Sequence, residues 1–197
     1  MTTDDPKRPG RPRDERAETA ILDAALQLFI EKGLEGLTIE AIAGEACVGK
    51  TTIYRRWDSK EELVAAALDR KFATPEIPDL GDVVEELQSV LATVRSFMSS
   101  SLAGKILPRM MGEVAAGSPL GKLYMKKVIA PRRGLLVGLI QRGIDRGQLV
   151  ADTDPDLLVD GIMGTTIFLR LSAPERFADN AAARAMIDHI VRPYRAG

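Results

Sequence analysis

Apolar residues return along this chain every three or four positions, and that spacing predicts helices from about residue 16 to its end. Ile21, Leu22, Ala25, Leu28 and Phe29 follow the i, i+1, i+4, i+7, i+8 rhythm of one helix face, and Gly33 stands where a left-handed C-cap would stop it. Thr38 is a good N-cap for a second helix whose inner side carries Ile39, Ile42, Ala43 and Ala46. A break at Cys47-Val48-Gly49 precedes a third helix, expected over residues 50–57. Ser59-Lys60-Glu61-Glu62 is a capping box for a fourth, which continues through Leu63, Val64, Ala67 and Leu68 to about Phe72.

Residues 73–81 hold two prolines and a glycine and predict a linker, which sets a domain boundary between residues 16–72 and 82–197. Beyond it the stripe Val83, Val84, Leu87, Val90, Leu91, Val94, Phe97 and Met98 predicts one helix, and a shorter one follows at about 102–115. A long helix at about 120–146 should be kinked by Pro131. Asp152-Thr153-Asp154-Pro155 restarts the chain, and Leu157, Leu158, Gly161, Ile162, Thr165, Phe168 and Leu169 repeat on one face of the next helix. A last helix is expected at about 181–191. No convincing strand or internal repeat is present, so the expected fold is all-α.

The third helix reads by angle. At about 100° per residue Ile53 and Trp57 share the buried side, which turns Thr51, Thr52 and Arg55 outward with Tyr54 and Arg56 on the flanks. Lys50 begins this helix, and Lys60 lies in the first turn of the next. Two short helices meeting at a tight turn, the second presenting Lys, Thr and Arg, predict a helix-turn-helix with one helix in a DNA major groove. Arg55 suits bidentate contact to guanine, and the Thr pair suits a thymine methyl.

Charge sharpens this picture without supporting it. The formal net charge is −1, and residues 1–72 hold 12 Lys/Arg against 14 Asp/Glu. DNA binding must therefore come from local arrangement. In residues 1–15, Lys7-Arg8-Pro9-Gly10-Arg11-Pro12-Arg13 is expected to be extended, and with Arg11 and Arg13 it resembles an AT-hook core suited to a minor groove. A solvated tail is the plain alternative. One cysteine fits a reducing compartment, no apolar run approaches a membrane span, and the N-terminus is charged, so the cytoplasm is expected.

Taken together, Ile21-Leu22-Asp23-Ala24-Ala25, Phe29, Gly33, Leu37-Thr38, Ile42-Ala43, Val48-Gly49-Lys50, Ile53-Tyr54-Arg55-Arg56-Trp57 and Ser59-Lys60-Glu61-Glu62-Leu63 resemble the DNA-binding domain of the TetR/AcrR family of bacterial transcriptional regulators. The resemblance implies about nine helices: an N-terminal three-helix helix-turn-helix domain, then a C-terminal ligand-binding and dimerisation domain. It implies a homodimer on a palindromic double-stranded operator, with repression relieved by a small molecule. It assigns Thr38, Lys50, Thr51, Thr52, Tyr54, Arg55, Arg56 and Lys60 to the DNA surface, with Tyr54 and Lys60 on phosphates. It also points to helices near 156–171 and 181–193 as the dimer contact, with Gly161, Gly164, Thr165, Phe168 and His189 in it. Cys47 departs from the family by standing where Gly is usual, so its backbone must reach the turn conformation against a Cβ. Gly49 stands where Ser often caps the recognition helix.

An effector would sit in residues 82–197, where Phe97, Met98, Met110, Met111, Tyr124 and Phe168 supply large adaptable apolar groups and suggest an apolar or aromatic ligand. A constitutive binder or activator without inducer is the alternative. A rival class comes from Gly44-Glu45-Ala46-Cys47-Val48-Gly49-Lys50-Thr51, which matches the phosphate-binding loop of nucleotide hydrolases. That motif needs a strand before its first Gly, yet Leu37, Ile39, Ile42 and Ala43 carry helical spacing. Asp160 in Leu157-Leu158-Val159-Asp160 mimics the metal-binding partner but continues a helical stripe. The single His189 and single Cys47 make no metal cluster, so neither enzyme activity, cofactor nor metal is expected.

Overall fold

Helical hydrogen bonding dominates the computed structural model, which describes residues 11–72 and 76–197. Lys7, Arg8, Pro9 and Gly10 of the basic arm, the side chains of Arg11 and Arg13, and Ala73-Thr74-Pro75 of the linker lie outside the described residues. The chain divides into two units, one ending at Lys71 and the other beginning at Phe72.

The first unit holds α1 (Arg11–Lys32), α2 (Ile39–Glu45), α3 (Lys50–Tyr54) and α4 (Lys60–Lys71). α1 starts at Arg11, so Arg11 and Arg13 lie in a helical turn instead of an extended arm. Pro12 permits this, because the first turn has no use for its missing N–H. Gly33 ends α1 with φ +70°, donating its N–H to the Phe29 carbonyl at 2.9 Å. Thr38 caps α2, its hydroxyl accepting from Ala41 N at 3.1 Å.

α2 closes in a Schellman motif. Val48 N donates to Ala43 O at 3.0 Å and Cys47 N to Gly44 O at 3.2 Å, which requires Cys47 at φ +52° in the position glycine normally takes. α3 ends at Tyr54, three residues before the expected end. Arg56 N and Trp57 N both donate to the Ile53 carbonyl, tightening the last turn before Ser59 caps α4. Ile21, Phe29, Leu37, Ile42, Ile53, Leu63 and Leu68 are buried in the centre of the unit, with α1 lying along α2 and α4.

The second unit contains α5 (Val83–Met98), α6 (Ser101–Ala115), α7 (Pro119–Tyr124), a π turn (Met125–Ile129), α8 (Ala130–Asp145), α9 (Pro155–Ser172), α10 (Pro174–Ala178) and α11 (Asn180–Val191). α7, the π turn and α8 follow without a break, so the irregularity expected at Pro131 takes the form of the π turn just before it. Counted that way the described residues form ten helices, the unexpected one being α10. Its five residues are too few for a periodic signal, and Pro174 at its first position is the only local mark.

The stripe of α5 meets Leu139 and Ile140 of α8, Leu158, Val159 and Ile162 of α9, and Ala183, Ile187 and Val191 of α11. The described residues hold no strand, only an isolated bridge between Leu149 and Arg195. Within the apolar stripe of α5 sits Glu86, fully buried. It accepts from Arg142 Nη2 at 3.0 Å, Arg146 Nη1 at 2.9 Å, Leu80 N at 3.1 Å and Gly81 N at 3.2 Å. Burial alone would push its carboxyl up, but the bonds from Arg146, Arg142 and Leu80 outweigh that and hold it below the usual glutamate range.

Candidate nucleic-acid interface

With Ile53 fully buried, α3 turns the rest of its surface to solvent. Thr51 is exposed, Thr52 half-buried and Tyr54 exposed. Arg55 follows with its side chain 70% exposed. Thr38 is exposed beside them at the start of α2. Trp57, expected on the buried side with Ile53, is only half-buried because the helix has already ended.

The remaining cations are already engaged. Lys50 Nζ lies 2.8 Å from Glu40 Oε1. Their hydrogen bond lowers the Glu40 pKa and raises that of Lys50, so both stay charged. Lys60 donates to the carbonyls of Leu34 at 2.7 Å and Leu37 at 3.2 Å, closing the turn between α1 and α2. Arg56 is drawn inward: its side chain is only 15% exposed, Nη2 donates to Asp14 Oδ1, and Nε lies 3.8 Å from Glu18 Oε2. Arg55 Nη2 lies 3.8 Å from the same Asp14 oxygen. Sequence reasoning missed these carboxylates. Asp14 and Glu18 sit one helical turn apart on α1, but nothing local connects them to residues about forty positions away.

The phosphate-binding loop reading has no support here. Gly44 lies inside α2, and the Ile39–Glu45 segment that such a loop needs as a strand is helical. Asp160 is paired with Arg133 at 2.8 Å, alongside Asp156 at 2.5 Å, tying α8 to α9. The described residues hold no group of three or more His, Cys, Asp or Glu arranged for a metal, and no helix among them is long and apolar enough to cross a membrane.

In the second unit, Met98, Met110 and Tyr124 are buried, and Phe97 and Met111 partly so. Phe72 packs against Phe97 with the rings tilted by 54° and their centroids 4.6 Å apart, and meets Tyr124 edge-on at 6.1 Å. Burial pushes the Tyr124 phenol up to about 12. Phe168 departs from this group. It is 67% exposed, because it falls on the outer side of α9 and not the side facing α5. Leu157 and Leu171 are exposed on the same side, with exposed Gly161 and Gly164 and half-buried Thr165 between them. His189 is exposed on α11. A separate groove of about 620 Å³ runs between α5 and α11, lined by Glu85, Gln88, Leu91, Arg95, Asn180 and Arg184 among others.

Both units match known families. Residues 21–67 match the family model for bacterial regulatory proteins of the tetR family, and residues 77–190, more than half of the chain, match the tetracyclin repressor-like C-terminal domain. The HTH-type transcriptional regulator YdeS of Bacillus subtilis is 34% identical over 167 residues, spanning 82% of this chain and 81% of that protein. The DNA-binding transcriptional repressor TetR of Mycobacteroides abscessus is 29% identical over 150 residues, 75% of this chain and 78% of that one. In fold, the chain is similar to a TetR transcriptional regulator from Agrobacterium tumefaciens, with a TM-score of 0.73 at 21% identity over 93% of this chain and 95% of the other. The chain belongs to the TetR family of helix-turn-helix transcriptional regulators.

Proposed function

We propose that this regulator is a ligand-responsive repressor that binds a near-palindromic operator as a homodimer. The observation that carries the DNA reading is α3 itself: Ile53 anchors it while Thr51, Tyr54 and Arg55 stand exposed beside Thr38. Arg55 is the base reader, Tyr54 and Lys50 are phosphate contacts, and Thr51 and Thr52 supply hydroxyl and methyl contacts. In a dimer, two such helices enter successive major grooves, about one helical turn or a multiple apart.

The dimer reading rests on α9. Leu157, Gly161, Gly164, Phe168 and Leu171 recur at intervals of four and three residues, the spacing of a helix-packing seam. α11, with His189, completes a four-helix bundle with the partner's pair. The effector is apolar or aromatic and enters among Phe97, Met98, Met110, Met111 and Tyr124, where methionines repack readily. Its differential affinity for two arrangements of the second unit shifts α4 and takes the reading heads out of register. One observation favours a constitutive binder instead: Met110 and Tyr124 are already packed shut.

The test selects duplexes from a random pool with the purified protein and measures Arg55→Ala on them. The variant loses about 1–3 kcal/mol of binding and relaxes preference at one base pair per half-site. Equal losses on selected and random duplexes would refute base reading by Arg55. A screen of apolar and aromatic compounds for release of the selected duplex separates the inducible protein from the constitutive one.

A further inference from the structure

Two guanidinium groups converge on one carboxylate oxygen at the edge of the reading helix, and they are held differently. Arg56 is a brace. Its Nη2 donates to Asp14 Oδ1 and lies 3.5 Å from the Asp14 carbonyl, its Nε faces Glu18, and its Nη1 is buried without a hydrogen-bond partner among the described residues. Arg55 is tethered loosely, 3.8 Å from that oxygen, with 70% of its side chain in solvent. The Asp14 side chain is itself 57% exposed, so its charge reaches whatever approaches Arg55.

We propose that Asp14 is a specificity-determining residue that buttresses Arg55 for base contact, while Arg56 is a positioning residue that fixes Asp14 and touches no DNA. The inference rests on the reading of α3 as the base-reading helix.

A penalty common to every DNA complex would lower affinity without changing preference, because specificity is a difference between two affinities. Asp14 acts on the two kinds of complex unequally. On a cognate site Arg55 extends toward a base edge and keeps its carboxylate neighbour, which limits the side-chain freedom lost on contact. On random DNA the same arginine turns to a phosphate. It must then leave Asp14, and the carboxylate is left beside a negative backbone. The acid therefore suppresses random binding more than cognate binding. Glu18, one turn along α1, holds Arg56 from its other side and keeps the brace from following Arg55 to the DNA.

The experiment uses the full chain, a random-sequence duplex, and a duplex recovered by the wild-type protein from a random pool. Affinities are measured across a salt series. Asp14→Asn is expected to tighten random-duplex binding about tenfold and steepen its salt dependence by roughly one phosphate contact, while the selected duplex gains little, so the preference falls. Asp14→Glu restores the wild-type preference. Arg56→Gln lowers the preference without reducing the salt slope on random DNA, whereas loss of a phosphate contact would reduce it by about one. An unchanged preference in Asp14→Asn, with the thermal midpoint preserved, overturns the buttress. A reduced salt slope in Arg56→Gln overturns the positioning role. If the wild-type chain recovers no duplex from the pool, the base-reading assignment fails, and the inference with it. That outcome differs from a wild-type chain that selects DNA and an Asp14 variant that selects equally well.

Discussion

Cys47 occupies left-handed backbone space with a side chain, the one non-glycine residue to do so among the described residues. The C′ position of a Schellman motif demands this φ, and a Cβ there costs about 1 kcal/mol relative to glycine. Cys47→Gly should therefore raise the stability of the first unit by about that amount, read as a higher thermal midpoint, whereas Cys47→Ala should give no such gain. Lys60 presents a second local conflict. A cation in the first turn of a helix faces the positive end of the dipole, yet the Leu34 and Leu37 carbonyls hold it there. Lys60→Met strands both acceptors and should cost about 1–2 kcal/mol in thermal unfolding. A lysine kept only for phosphate would leave the midpoint unmoved.

At the level of elements, α9 carries three exposed apolar side chains, Leu157, Phe168 and Leu171, on one side. If that seam closes a dimer, each Phe168 contributes about 2 kcal/mol of burial. Phe168→Ser should then weaken self-association by two to three orders of magnitude in sedimentation equilibrium. A variant that associates as the wild type does would remove α9 from the interface. The same helix marks what was legible beforehand. Leu158 and Ile162 of its expected stripe are buried, but Leu157 and Phe168, expected on the same face, are exposed, because that stripe is wide enough to take in both the inner and the outer side of the helix. The capping box at Ser59 and the stop at Gly33 were legible for the same local reason: their partners lie within four residues. Partners far away in sequence were not. Asp14 meets Arg56 across 42 positions, and Lys60 meets Leu34 across 26. The exposed half of the candidate site was thus visible in advance, and the acids that restrain it were not.

Across the whole molecule, a net charge of −1 leaves DNA binding to small arrangements of cations, of which Lys50, Arg55 and Arg56 have a carboxylate close by. One buried carboxylate has a different task. Glu86 joins the segment before α5 to α8 through Arg142 and Arg146. Its folded pKa lies below the ordinary value, so its contribution is complete above the unfolded value of about 4.3 and is lost as pH falls through the folded one. Glu86→Gln should cost about 2–3 kcal/mol near neutral pH, less than a fully enclosed pair because Arg142 is 40% exposed. The gap between wild type and variant should narrow below about pH 4 in acid unfolding. A gap constant with pH would mean the two arginines do not hold the carboxylate.

The brevity of α3 sets the information available to the protein. Five residues rise about 7.5 Å, which is little more than two base-pair steps along B-DNA. With four distinguishable pairs per position, two or three pairs read directly recur by chance roughly once in every 16 to 64 positions. A single reading head is therefore nearly blind on a genome. In the proposed dimer, two heads held at a fixed separation would multiply those odds, and the spacing between half-sites would become part of what is read.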